Sequence, residues 1–451
     1  MKRVLYNYDI YPKVFLAGVK KEITIQPLGA HSAFVPDMEY TVKVLKVSEG
    51  RPFIYTERGG RFEVAAKPDA DGCLRFSGVF EGEGEYFVNI HRGSEADYFC
   101  TLSLYALDAD MKGRIPLRGD LHIHTNRSDG RESPATTAAN YRGHGYDFTV
   151  ISDHFRYYPS LEAIDFWRGL TDLNIVQGEE VHLPLNDVHY VNFGGSYSIN
   201  ALVKPSRNDE TGDGLDKRSS CGEAPETMSV EEFEAMIHER AKSVPRENLS
   251  ERLSFAVLEW IFEHMQKNGG LGIFPHPYWL TQVMQLPEEY AYFIYENAPF
   301  HAFEVLGGEN YYQHNGFQTG FYYEMKAKGI DHPVVGSTDS HGSTEHNRNA
   351  LICSTIVFAE ENSAEAIIDA IKNKYSIAVD TISAEYRLVG DFRFMKYASF
   401  LLENYFPLHD LACSAEGYYM NRYIAGDKRA AEILKSMKGQ IPEMQKKYFD
   451  L

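Results

Sequence analysis

From Leu117 to about Thr381 short apolar runs alternate with longer helical stretches, and that alternation constrains the fold more than anything else in the chain. The runs are GDLHIHT, YDFTVISDH, NIVQGEEV, VHYVNFGG, GLGIFPHP, HAFEVLGG and HPVVGSTDSH. They are too short to be independent helices and are bounded by turn residues, so they read as strands. Strands alternating with helices predict βα units and a largely parallel sheet. Between the fourth and fifth runs, Lys204–Thr227 is polar and reads as a surface loop. The segments SVEEFEAMIHERAK and Leu249–Asn268 then read as helices, and a late strand, LICSTIVFA, precedes the helix SAEAIIDAIKN.

The flanks differ in pattern. Before about residue 115 the chain holds short segments rich in Val, Ile, Tyr and Phe: Glu22–Gln26, Tyr40–Val47, Arg61–Ala65, Glu85–His91 and Tyr98–Leu107. Gly, Pro and Asp clusters separate them, which predicts an antiparallel sandwich. Beyond about Glu385 the chain reads as helical, in a packing or oligomerisation role. The expected organisation is therefore a β-sandwich over 1–115, an α/β unit over 116–384 and a helical extension over 385–451. A length of 451 residues suits two or three domains.

Six of the seven runs end in, or contain, side chains that bind metals: His122 and His124 with Asp129 just beyond, Asp153-His154, Glu179-Glu180, His189, His276, and Asp339 with His341. In barrel-type α/β folds the C-terminal ends of parallel strands converge on one face, so ligands far apart in sequence can meet there. Positions i and i+2 of a strand share a face, which lets both imidazoles of His122-Ile-His124 reach one ion. Gly130 suits the tight turn after Asp129. Asp153 is expected to orient a ligating histidine. Any one of these histidines is commonplace; six clusters in consistent positions are not. Imidazole and carboxylate without thiolate suit Zn, Mn or Fe.

The order HxHxxxSDG, SDH, GxE, a strand-borne VH, GIFPHP and a closing STDSH resembles the PHP (polymerase and histidinol phosphatase) superfamily of metallohydrolases, over about Arg118–Thr381. A β-sandwich ahead of it, joined by PLRGDLHIHT, is more loosely similar to the carbaryl-hydrolase-like subgroup. The resemblance implies a distorted seven-stranded β/α barrel with two or three divalent ions. Its ligands fall on His122, His124, Asp129, His154, Glu180, His189, His276, Asp339 and His341. It implies a first ion on His122, His124, Glu180 and Asp339, a second reached by Glu180 with His189 and His276, and a third on Asp129, His154 and His341. Glu180 is preferred to Glu179 because it fits G-x-E and alternation turns Glu179 to the opposite face; His182 is a same-face reserve.

The expected activity is hydrolysis of a small phosphorylated metabolite by a metal-activated hydroxide, with Arg156 and Arg348 placed to clamp a phosphate. The same centre could attack a carboxylic ester, amide or carbamate. A carbohydrate-binding protein is a third reading, carried by the tyrosine-rich run Tyr278–Tyr323, which also reads as core packing. A formal net charge of −19 disfavours a long nucleic acid as substrate. The cysteines Cys73, Cys100, Cys221, Cys353 and Cys413 are scattered without a CxxC pair, and no long apolar run or signal-like segment is evident, so a cytoplasmic, membrane-free protein is expected, with a homo-oligomer possible.

Overall fold

The computed structural model describes residues 3–49, 62–93, 98–207, 226–280, 282–308, 312–344, 352–381 and 387–451. Arg348 and Cys221, both singled out above, lie outside the described residues. The fold is mixed α/β, with several sheets and a helical C-terminal region. The chain divides into two compact units: Met1–Ile115 with Phe392–Ala412 and Gly439–Leu451, and Pro116–Asp391 with Cys413–Lys438. The C-terminal helices are thus shared between the units. No helix among the described residues is long and apolar enough to cross a membrane.

In the first unit, Tyr8–Tyr11, Lys20–Pro27 and Leu74–Val79 form a three-stranded antiparallel sheet. A six-stranded sheet runs in the order Phe449–Asp450, Val14–Leu16, Tyr98–Leu107, Gly84–Arg92, Tyr40–Lys46, Phe62–Ala66. Along Tyr40–Lys46, residues Tyr40, Val42 and Val44 are buried while Thr41 and Lys43 are partly exposed, the period of two that a half-buried strand requires. These inward residues pack with Ile23, Ile25, Phe76, Tyr86 and Leu104 into one core. One strand departs from the antiparallel expectation: Val14–Leu16 runs parallel to both Tyr98–Leu107 and Phe449–Asp450, the second from the far end of the chain. A local pattern carries no record of that.

In the second unit, one sheet runs Asn174–Val176, Phe148–Val150, Ile115–Asp120, Cys353–Ala359, Ser376–Asp380, Arg387–Val389. The other runs Gly178–Val181, Tyr190–Phe193, Leu271–Phe274, Ala302–Leu306, Val334–Gly336. The pairings of Phe148–Val150 with its two neighbours are parallel, as are those joining Leu271–Phe274, Ala302–Leu306 and Val334–Gly336. The largely parallel expectation fails at Tyr190–Phe193, which is antiparallel to both neighbours, and at the antiparallel run from Cys353 to Val389. Only residues 182–189 separate Gly178–Val181 from Tyr190–Phe193, too few for the helical crossover a parallel pair needs.

Helices flank these strands where the sequence provides caps. Pro134–Gly143 starts with Pro at its first turn behind Ser133, whose Oγ accepts from the Thr136 N–H. Val230–Arg240 opens on a full capping box between Ser229 and Glu232. Leu249–Lys267 buries Leu253, Val257, Trp260 and Ile261 in the large core of this unit.

Candidate metal centre

Most candidate ligands sit on loops beside the strands, whereas Glu180 lies within the strand Gly178–Val181 and His189 directly precedes Tyr190–Phe193. Ile115–Asp120 stops before His122, yet the HIH segment stays extended because the Ile123 N–H donates to Ser152 Oγ and the His124 N–H to the Ser340 carbonyl. Parallel bridges join Ile123 to Ser340 and His154 to Glu180. Asp129 lies on the turn closed by the Gly130 N–H donating to the Thr125 carbonyl. Glycine is required there for room: a Cβ would stand 2.6 Å from the His124 carbonyl oxygen. Gly308 has even less space, since its Cβ would overlap the Thr338 carbonyl at 1.2 Å, next to Asp339. His276 (φ 28°) and Asp339 (φ 48°) both hold left-handed backbone, a strain that surrounding contacts must sustain.

Glu180 is the hub. It is fully buried, and its Oε2 lies 3.6 Å from His122 Nε2, 3.5 Å from His124 Nε2, 2.5 Å from His154 Nδ1 and 3.5 Å from His182 Nε2. Its Oε1 lies 2.7 Å from His189 Nδ1 and 3.6 Å from His276 Nε2. Asp339 Oδ1 is 3.3 Å from His122 Nε2 and 2.9 Å from His124 Nε2. At the outer side Asp129 reaches His154 Nε2 at 3.5 Å and His341 Nε2 at 3.3 Å. Four overlapping groups result: His124, Asp129, His154 and His341; His154, Glu180, His182 and His189; His122, His124 and Asp339; His122, Glu180 and His276. Each of the nine ligand candidates read from the sequence falls in one of these groups, and the reserve candidate His182 joins them.

The donor set fits divalent cations. Metal–nitrogen bonds of about 2.0–2.1 Å place neighbouring ligands about 3.0–3.4 Å apart, and the ligand atoms here lie 2.5–4.0 Å from one another, close enough to surround such ions. Both oxygens of Glu180, both ring nitrogens of His124, His122 Nε2, His189 Nδ1 and Asp339 Oδ1 are buried with no hydrogen-bond partner among the described residues. Imidazole rings stack face to face, with centroids 4.2 Å apart for His124 and His154 and 4.4 Å for His124 and His341. Buried polar atoms this close to one another are costly unless a proton or a cation sits among them.

The electrostatics agree. Burial penalises the charged form of Glu180 and Asp339, yet the surrounding imidazoles hold both well below the usual carboxylate range. Burial also disfavours the charged form of His122, His124 and His154, but Glu180 and Asp129 overcome it at His154, raising that ring to about 10, and Asp339 and Glu180 overcome it at His122. At His124 burial wins, and the ring falls to about 3. Such mutual stabilisation of carboxylates and imidazoles is what a cation would inherit.

A supporting layer holds the ligands. His122 Nδ1 lies 3.1 Å from Glu304 Oε2, and His276 Nδ1 lies 2.9 Å from Gln285 Oε1, fixing which ring nitrogen faces inward. Glu179 faces away, as alternation requires, and accepts from Ser198 Oγ, Asn200 Nδ2, Asn192 Nδ2 and the Ile199 N–H. Asp153 accepts from the Thr125 N–H, Thr125 Oγ1 and Ser128 Oγ, so it grips the turn that carries Asp129. Arg156 lines a cavity beside Asp129 and His154 and donates to the Arg127 carbonyl. Sequence reasoning passed over Glu304 and His314. Glu304 stands alone in the apolar strand Ala302–Leu306, and a single buried carboxylate in such a run was the available signal. His314, buried near the start of the helix Tyr312–Ala327, gave none.

No protein-family model matches the chain, and no curated protein does. Among solved structures it is similar to a two-domain protein of Bacteroides vulgatus containing a predicted PHP-like metal-dependent phosphoesterase, at 16% identity and a TM-score of 0.39, covering 59% of this chain and 65% of that one. The chain thus spans less than two thirds of that relative. A protein of Bifidobacterium adolescentis classed as a metal-dependent phosphoesterase shares 18% identity over 51% of this chain and 89% of its own, with a TM-score of 0.32. An amidohydrolase of Chromobacterium violaceum with bound sulfate and no metal shares 15% over 51% and 89%, with a TM-score of 0.31. Likeness this distant transfers no activity; the side chains have to speak for themselves.

Proposed function

We propose that this chain is a metal-dependent hydrolase of the PHP type that cleaves a phosphate ester of a small metabolite, with its chemistry in residues 116–384. The carrying observation is the convergence of His, Asp and Glu side chains from six separate sequence motifs around a fully buried Glu180 whose oxygens have no hydrogen-bond partner among the described residues. On this reading strands from the two sheets of the second unit make up the distorted seven-stranded barrel of that family, residues 1–115 form a sandwich, and 385–451 are an extension.

His122, His124, Glu180 and Asp339 would hold one divalent ion, Glu180 with His189 and His276 a second, and Asp129, His154 and His341 a third. Bound ions of this kind lower the pKa of a coordinated water toward neutrality and offset charge on a phosphoryl oxygen. Glu180 is suited to share its two oxygens, since Oε1 and Oε2 face different imidazoles. Glu304 and Gln285 set the tautomers of His122 and His276, so their inward nitrogens are free of protons when a cation is present. Asp153 keeps the Asp129 turn in place. Asp129 is the most exposed ligand, at 57%, and marks the mouth where substrate enters; Arg156 beside it is placed to orient a phosphate. The acidic chain, at −19, repels long nucleic acids and leaves small esters.

The test is phosphate release from a panel of small phosphomonoesters by metal-loaded protein. Release that stops on chelation and returns with metal is expected. Turnover of carboxylic esters or amides without any phosphate release rejects phosphoester chemistry, and silence on all panels rejects the hydrolase.

A further inference from the structure

Phe155 follows the ligand His154 and sits at φ 63°, left-handed backbone that costs a bulky residue free energy and persists only when its surroundings hold it. Its ring makes two close contacts. The His182 imidazole stacks on it at 4.4 Å between centroids and 29° between planes, and the Arg207 guanidinium lies 4.1 Å from the same centroid. Both groups lie against the Phe155 ring, and Arg207 is held in place by a cation–π contact.

Phe155 and Arg207 form the shared wall of two cavities. The smaller, about 260 Å³, is lined by Ser128, Asp129, His154, Arg156 and Arg207 as well as Phe155. The larger, about 460 Å³, opens beside His182 and His189 and is walled by apolar groups including Leu183, Val203 and Val230. Apart from histidines, Arg207 is the only cationic side chain lining the larger cavity among the described residues, and the exposed Asp187 supplies its only carboxylate.

We infer that Arg207, fixed on Phe155, binds the anionic head of the substrate in the smaller cavity while the larger cavity takes an uncharged, partly apolar organic body. The inference rests on the phosphoesterase reading and narrows it to esters that carry one anionic group. Two arginines and the ligand side chains converge on the head, and the guanidinium plane locked by Phe155 presents its N–H groups at little conformational cost. The larger cavity rewards burial of apolar surface. A second negative charge at the far end of the ligand meets Asp187 instead of a cation, and is rejected by repulsion.

Calorimetric titration of the full-length, metal-loaded protein with three non-hydrolysable probes tests this: methylphosphonate, phenylphosphonate and 4-carboxyphenylphosphonate. Phenylphosphonate should bind about tenfold or more tightly than methylphosphonate, because the ring leaves water for an apolar wall. The carboxyphenyl probe should bind more weakly than the phenyl one. Arg207→Ala should weaken all three by about tenfold or more through loss of a charge-assisted hydrogen bond, with metal content unchanged. Val230→Trp should erase the phenyl advantage. The exposed Asp187→Lys, which does not depend on repacking, should invert the preference between phenyl and carboxyphenyl. Equal affinity for methyl and phenyl probes, an Arg207→Ala variant that binds as wild type, or no binding of any probe overturns the inference. Metal content measured on the same samples separates the cases: a flat series on metal-replete protein sinks only the pocket assignment, whereas protein that takes up no metal sinks the hydrolase with it.

Discussion

Replacing Glu304 asks how firmly the candidate centre is held by residues that touch no metal. The side chain is fully buried, with Oε2 3.1 Å from His122 Nδ1 and Oε1 without a hydrogen-bond partner among the described residues. Glu304→Gln keeps the shape and an acceptor but removes the charge. A hydrogen bond to a charged group contributes about 1.5–3 kcal/mol against about 0.5–1.5 for a neutral one, so the exchange costs about 1–1.5 kcal/mol. That corresponds to roughly tenfold in metal affinity at the site that includes His122. Glu304→Ala strands the His122 Nδ1–H in a dry pocket, and the loss should approach about 100-fold, the upper end for outer partners of ligating histidines. Competition against a chromogenic chelator measures both, with urea unfolding of the metal-free variants as control. Burial, the largest influence on the Glu304 carboxyl, pushes it toward its neutral form, so the metal-free Gln variant should be no less stable than wild type. If both variants bind every equivalent of metal with wild-type affinity, the carboxylate–histidine support is refuted.

Metal affinity should rise with pH. In the metal-free centre Glu180 and Asp129 overcome burial and raise His154 to about 10, so a proton is held at neutral pH and must leave when a cation arrives; affinity therefore climbs until about pH 10, and titrations in buffers of different ionisation enthalpy should reveal proton release. A binding constant that is flat between pH 6 and 9 contradicts this. The second unit also carries a buried ion pair, Arg142 Nε to Glu416 Oε2 at 2.7 Å, with Arg142 Nη1 donating to the Tyr146 carbonyl. Arg142→Ala leaves Glu416 buried beside Thr171 and Asp172 and should cost about 3 kcal/mol, read as a lower urea midpoint; a change below about 1 kcal/mol would show the pair to be dispensable.

Much of the candidate site was legible because its ligands cluster in short motifs. HIH, SDH, GEE and STDSH place metal-binding side chains two residues apart or adjacent, and apolar runs before them mark strand ends. What could not be read depended on partners remote in sequence. Glu304 looks like one polar interruption in AFEVL until the fold brings His122 against it, and nothing local in YQHNGF announces that His314 is buried. Strand direction is equally silent: VHYVNF has the pattern of a strand in either orientation, and only the short 182–189 connection argues for antiparallel pairing. The pairing of Val14–Leu16 with Phe449–Asp450 joins opposite ends of the chain. Gly130 was read as a turn residue for its backbone freedom, whereas the structure needs it for space.

The central claim is that Glu180 is a shared ligand for more than one cation. The most direct measurement is elemental analysis of wild type and Glu180→Gln loaded with Zn, Mn or Fe, paired with anomalous diffraction from the metal-replete crystal. The account predicts more than one equivalent in wild type, anomalous peaks about 2.0–2.2 Å from Glu180 oxygens, and loss of at least one equivalent in the variant. Equal metal content in the two proteins, or peaks remote from Glu180, would contradict it.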